Sequence, residues 1–195
     1  MLANYIILRD GGEKPKKMPS FYEKFNLSLS MYGQLPAENA IANLIGEKFY
    51  YSKSLDLQLD KEFLMGIEKK LVQDKSDVVF AHIKGPDEPG HDNEPLKKVE
   101  AIEKIDKYFI KNLKKDIDQD DIVVITCDHA TPCEMKIHSK DKVPALIFGK
   151  YFLKDESKRF DESNAQIGNL KINNSIQILP YIIDKWRSQN ENNNN

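Results

Sequence analysis

Hydrophobic positions fall into short blocks whose period switches between two and about 3.6 residues along the chain. Residues 5–8 (Tyr-Ile-Ile-Leu) predict a short strand, and the Gly-, Lys- and Pro-rich stretch from Asp10 to Pro19 predicts a turn. Leu27, Leu29 and Met31 alternate with serines as a strand does. Pro36 then opens a segment with Ala37, Ile41, Leu44 and Ile45 on one stripe, closed by Gly46, which is the expected asymmetry of a helix. Phe49-Tyr50-Tyr51 predicts a strand. From residue 60 to 73, Phe63, Leu64, Ile67 and Leu71 recur at helical spacing. Residues 78–83 form a nearly continuous apolar strand. A long helix is predicted over 94–114, with Leu96, Val99, Ile102, Phe109 and Leu113 on its buried stripe. Residues 122–126 and 143–148 are further strands. A last helix carries Ile176, Leu179, Ile183 and Trp186, and Pro180 makes it start late or bend. The Asn-rich tail 189–195 has no apolar anchor and is expected to be disordered.

Strands without surface alternation, interleaved with helices, predict an α/β fold: a three-layer sandwich around a mostly parallel sheet. The length of 195 residues fits one domain, with at most a fringe of a second. No apolar run reaches the roughly 18–20 residues of a membrane span, so no membrane partner is predicted. With 29 Lys and Arg against 31 Asp and Glu, the net charge of −2 argues against a nucleic-acid partner. The N-terminus has no basic stretch, long apolar core or small-residue cleavage site of a secretory signal. Two cysteines, Cys127 and Cys133, make no disulfide framework and are read as reduced thiols, so the expected location is the cytoplasm.

Candidate chemistry gathers between residues 82 and 138, which hold all four histidines. One cluster, Gly85-Pro-Asp-Glu-Pro-Gly-His91, directly follows a predicted strand. A second, Cys127-Asp-His-Ala-Thr131, follows another, and His138 lies in a polar loop before the next. Open parallel α/β sheets bind ligands beyond the carboxyl ends of their strands. Mixed carboxylate and imidazole ligands suit zinc or manganese, and carboxylates alone also admit magnesium. His82 lies inside an apolar strand and is read as a core histidine. Asp10-Gly11-Gly12 is read as a plain turn, while Arg9 beside it has the planar fork that grips carboxylates and phosphates.

At these residues the chain resembles the archaeal-type, cofactor-independent phosphoglycerate mutases of the alkaline phosphatase superfamily. The stretch His82-Ile-Lys-Gly-Pro-Asp-Glu-Pro-Gly-His-Asp92, running into Lys98-Val-Glu-Ala-Ile-Glu-Lys-Ile-Asp106, is similar to that family's metal motif and following helix. Asp128-His-Ala-Thr-Pro-Cys133, His138-Ser139 and Val143-Pro-Ala-Leu-Ile147 are similar to its second block. Weaker echoes run from Ala3-Asn-Tyr-Ile-Ile-Leu-Arg9 through Pro19-Ser-Phe21 to Phe160-Asp-Glu162.

The resemblance implies two divalent metal ions, usually manganese, with magnesium, zinc or cobalt also used. Asp87, His91 and His138 would hold one ion, Asp128 and His129 part of the second, and Arg9 would bind substrate. The implied reaction moves a phosphoryl group between the 3- and 2-hydroxyls of glycerate through a phosphoserine. No serine here stands in the nucleophile's context, and Asn39 stands where the resemblance implies a lysine. The chain is therefore expected to be a C-terminal half, its fold incomplete and its activity absent without an N-terminal segment as partner. On this reading residues 1–15 end the inserted substrate domain, 16–188 form the C-terminal part of the metal-binding domain, and 189–195 are the tail. Two other functions stay open: another phosphoryl transfer of the superfamily (a phosphatase or a homoserine-kinase-like enzyme), and an inactive metal-binding relative.

Overall fold

The computed structural model describes residues 18–51, 59–170 and 172–192. The expected strand at 5–8, the turn at Asp10 and the candidate Arg9 lie outside them. The described residues divide into two compact units: residues 18–51 with 73–84, and residues 59–72 with 85–192.

The first unit is a parallel three-stranded sheet in the order β2-β1-β3, with β1 at Leu29–Gly33, β2 at Lys48–Tyr51 and β3 at Val78–Ala81. Ser30 pairs with Lys48 on one side of β1 and with Val79 on the other. Every residue of β1 is buried, as a central strand covered on both faces requires. Two helices precede and follow β1. Helix α1 (Phe21–Phe25) starts with a capping box in which the Ser20 hydroxyl accepts from Glu23 N–H and the Glu23 carboxylate accepts from Ser20 N–H. Helix α2 (Pro36–Leu44) links β1 to β2. Ser28 and Asp77 lock the starts of β1 and β3 together, since Asp77 accepts from both the Ser28 N–H and hydroxyl.

The second unit is mostly helical. Helix α3 (Lys61–Gln73) begins with the Asp60 carboxylate accepting from Phe63 N–H, and buries Leu64 and Ile67. The short α4 (Asp87–His91) leads into α5 (Pro95–Ile105), a π turn at Asp106–Ile110, and α6 (Lys111–Asp116). Strands β4 (Ile122–Thr126) and β5 (Ala145–Gly149) follow, then α7 (Glu162–Ile167) and α8 (Ile178–Asn192). No helix among the described residues is long and apolar enough to cross a membrane.

The α/β class and the parallel sheet agree with the expectation; three details differ. β4 and β5 pair antiparallel with each other, Ile122 opposite Gly149, instead of extending the parallel sheet. Their burial alternates, the pattern of strands covered on one face. The long helix is interrupted by its π turn, where Lys111 N–H bonds to Asp106 C=O five residues back. That wider turn shifts the apolar stripe, so Phe109 is buried at 6% exposure whereas Leu96, Val99 and Ile102 are exposed, Leu96 at 85%. A stripe is buried only where something packs on it, and no described element covers these three. Finally, α8 starts just before Pro180, whose missing N–H falls in the first turn, and continues through Asn192 into the end expected to be disordered.

Glu68, on the buried side of α3, is only 1% exposed, and its Oε1 has no hydrogen-bond partner. Burial raises its carboxyl above the ordinary value of 4.5, and the nearby Asp116 carboxylate adds to the rise. The neutral acid is thus the form the fold favours. Its stabilisation is full below about 4.5, the unfolded value, and is lost as pH rises through the folded value. Glu68→Gln is expected to raise Tm at pH 7–8, by about 2–4 °C per kcal/mol gained, and to leave it unchanged near pH 4. Thermal melts across that range check both sign and window. The exposed Leu96–Val99–Ile102 stripe is expected to drive self-association of the isolated chain, which light scattering reads, and Leu96→Glu is expected to reduce it.

Candidate metal centre

Asp87 and His91 stand four residues apart on α4, so one helical face presents both side chains. The second half of the site comes from the loop after β4. This loop folds back on itself through a bridge between Ala130 and Ser139, in which Ser139 N–H bonds to Ala130 C=O at 2.9 Å. The fold-back brings His129 and His138 together, their rings stacked with centroids 3.6 Å apart. α4 lies close against the loop because residue 90 is glycine. A Cβ there would stand 2.7 Å from Thr131 O and 3.1 Å from Lys98 Nζ. Lys98 Nζ donates to the same carbonyl at 2.6 Å.

Asp87, His91 and His138 each offer a ligand atom, and these atoms lie within 4.8 Å of one another. His91 Nε2 is 3.1 Å from His138 Nε2 and 3.5 Å from Asp87 Oδ2, and His138 Nε2 is 3.8 Å from Asp87 Oδ1. Metal bonds of about 2.1 Å set neighbouring ligand atoms about 3.0 Å apart at right angles and about 3.4 Å apart at tetrahedral angles. The observed separations lie at and slightly above those values. Two imidazoles and one carboxylate suit a first-row divalent ion and leave positions open for other ligands.

Hydrogen bonds fix which nitrogens face inward. His91 Nδ1–H donates to the backbone carbonyl of Lys136 at 2.9 Å, which leaves the Nε2 lone pair toward His138. Lys136 itself has φ of +58°, and this turn aims its carbonyl at the ring. Thr131, 4% exposed, has one hydroxyl proton. That proton goes to Asp87 Oδ1 at 2.6 Å because a carboxylate only accepts. The contact of 3.0 Å between Thr131 Oγ1 and His129 Nδ1 then makes His129 the donor, which leaves a lone pair on His129 Nε2. His129 Nε2 is 3.7 Å from Asp128 Oδ2. The structure thus brings Asp87, His91 and His138 together, stacks His129 on His138, and sets Asp128 beside His129 with its side chain 76% exposed.

His82 differs from the expectation of a core histidine. It is partly exposed and bonds through Nδ1 to Glu38; among the described residues β3 has β1 as its one neighbour, and His82 follows its last residue. Cys127 and Cys133 are both free thiols, as expected. Three supporting groups were not legible in the sequence: the Thr131 hydroxyl, the Lys136 carbonyl and the Gly90 close approach. Only Thr131, a polar residue inside the Asp128-His-Ala-Thr run, left any signal there.

Removing the Thr131 hydroxyl releases Asp87 and His129 together. Thr131→Val is expected to weaken manganese binding about 10–100-fold, and His91→Ala to abolish the calorimetric heat. Unchanged heats would remove the metal assignment.

The profile of the Metalloenzyme superfamily matches residues 8–177. The chain is 34% identical over 188 residues to the 2,3-bisphosphoglycerate-independent phosphoglycerate mutase of Pyrococcus abyssi, and 33% identical over 186 residues to that of Pyrococcus furiosus. Each alignment takes in 94% of this chain and 45% of the relative, so the chain spans about half the length of the curated relatives it matches. Among solved structures, the PH0037 protein of Pyrococcus horikoshii superposes with a TM-score of 0.78 at 30% identity, over 87% of this chain and 45% of that one. The cofactor-independent phosphoglycerate mutase of Thermoplasma acidophilum shares the fold, with a TM-score of 0.57 at 22% identity over 80% of this chain and 35% of its own. The match over residues 8–177 takes in most of the chain, which belongs to the Metalloenzyme superfamily.

Proposed function

We propose that this chain is the metal-binding part of a cofactor-independent phosphoglycerate mutase, which interconverts 3- and 2-phosphoglycerate in cytoplasmic glycolysis and gluconeogenesis. The observation that carries the reading is the convergence of Asp87, His91 and His138 in a chain one-third identical to enzymes of that name. In this reading these three residues hold one divalent ion, and Asp128 and His129 hold part of a second, with manganese the usual metal. Such ions, when bound, neutralise the charge of a transferring phosphoryl group and activate an oxygen nucleophile. The chain's own groups set the cage: Thr131 pins Asp87 and His129, and the Lys136 carbonyl orients His91. Arg9, outside the described residues, grips the substrate's phosphate or carboxylate.

The nucleophilic serine and one more aspartate ligand come, in this proposal, from an N-terminal segment acting as partner. Residues 1–15 end its substrate domain, and 16–188 complete the metal-binding domain. The exposed stripe on α5 supports the existence of a covering element. One observation favours a second reading, an inactive metal-binding relative. Among the described residues, only the first cluster gathers three ligands; Asp128 and His129 supply two.

A coupled assay with manganese separates the two. The purified chain alone is expected to be silent, and mixing it with the N-terminal segment of a Pyrococcus relative is expected to restore turnover of 3-phosphoglycerate. Turnover by the chain alone overturns the absent nucleophile. Silence after mixing, with one ion bound per chain, establishes the inactive relative instead. Product analysis over a panel of phosphate esters separates mutase from phosphatase or kinase-like chemistry.

A further inference from the structure

The loop that carries His129 and His138 is held to the helices by hydrogen bonds of two kinds. The bond from the Thr131 hydroxyl to Asp87 and the bond from His91 Nδ1–H to the Lys136 carbonyl each use a candidate ligand. The bond from Lys98 Nζ to Thr131 O, at 2.6 Å, uses none. Lys98 stands on α5 and reaches the loop across Gly90, where a Cβ would lie 3.1 Å from Nζ. A helix lysine ordinarily keeps its ammonium in water, as the neighbouring Lys97 does beside the exposed Glu94 carboxylate. Lys98 instead brings its charge to a part-buried neutral carbonyl, and among the described residues no carboxylate pairs with it. A charge-assisted bond of this kind is roughly twice as strong as a neutral one.

The peptide it grips governs both ends of the loop. Because residue 132 is proline, the Thr131–Pro132 peptide has no N–H, and its carbonyl is its one polar handle. The Pro132 carbonyl accepts from the N–H groups of Met135 and Lys136 at 3.0 and 3.1 Å, so residues 132–136 form a closed turn. That turn ends at the Lys136 carbonyl bonded to His91. On the other side, the Thr131 hydroxyl orients Asp87 and His129. Fixing this one peptide therefore fixes both groups that aim the candidate ligands.

We infer that Lys98 is a positioning residue of the candidate metal centre: acting through the Thr131 carbonyl, it keeps the loop in the arrangement that receives an ion. This role rests on the metal reading of Asp87, His91 and His138, and not on the mutase reading. Such a residue acts on the population of competent chains. Without it, apparent affinity falls with the fraction that stays competent, while the loaded site keeps its geometry. A bare charge effect has the opposite sign, since removing a cation beside a cation site tightens binding.

The test is calorimetry with manganese on the full chain, together with the visible spectrum of the cobalt-loaded site. Lys98→Met is expected to weaken manganese binding about tenfold, the equivalent of one hydrogen bond. Its cobalt spectrum at saturation is expected to match that of the unaltered chain. Unchanged or tighter binding overturns the role of Lys98 and leaves the metal assignment standing. A weakened variant with a changed spectrum also overturns it, because the cage itself is then altered. No heat from the unaltered chain overturns the metal assignment, and the role of Lys98 with it. Should Lys98→Met fail to fold, the ¹⁵N signal of the Lys98 ammonium in the metal-free unaltered chain carries the test, assigned by its loss in Lys98→Arg. Its protons are expected to exchange with water more slowly than those of Lys97, and equally fast exchange overturns the proposal.

Discussion

One hydroxyl proton organises the candidate metal centre. Thr131 can donate only once, and it donates to Asp87, so its oxygen must accept from His129. A carboxylate on a five-residue helix and an imidazole in a loop more than forty residues away are thereby held in one fixed sense. Thr131 is nearly buried, so no solvent exchange relaxes the arrangement. The Lys136 carbonyl performs the same task for His91, leaving its Nε2 lone pair toward His138.

The same economy appears in the backbone. α4 is too short to be stable by itself, and its position depends on what it packs against. The glycine at position 90 lets it touch the Thr131 carbonyl, and Lys98 donates to that same oxygen from the next helix. Helix, loop and following helix therefore converge on a single peptide group.

Much of this was legible in the sequence, for identifiable reasons. α2 and α3 carried their own periodicity and boundaries: proline at the first helical position of one, an aspartate cap before the other. The candidate cluster of Asp87, His91 and His138 stood out because metal chemistry demands residue types, not merely polarity. What the sequence hid depends on partners. An apolar run such as Ile122–Thr126 does not state which strand it will join, and β4 chose an antiparallel neighbour. The stripe on α5 matched a buried helix, yet burial belongs to the packing and not to the helix. His82 looked like core because its neighbours Val78–Ala81 are apolar, whereas its environment is set by Glu38, more than forty positions earlier.

The absence of a side chain at Gly33 makes that position a point of shared failure. Any methyl group introduced there would evict the Glu38 carboxylate, which accepts from the Gln34 and Leu35 N–H groups and from His82, and so uncap the start of α2 and unmoor the His82 ring in the same event. Drift in the surrounding loop can be absorbed one contact at a time. At residue 33 it cannot, so a single nucleotide change would carry the cost of three lost bonds.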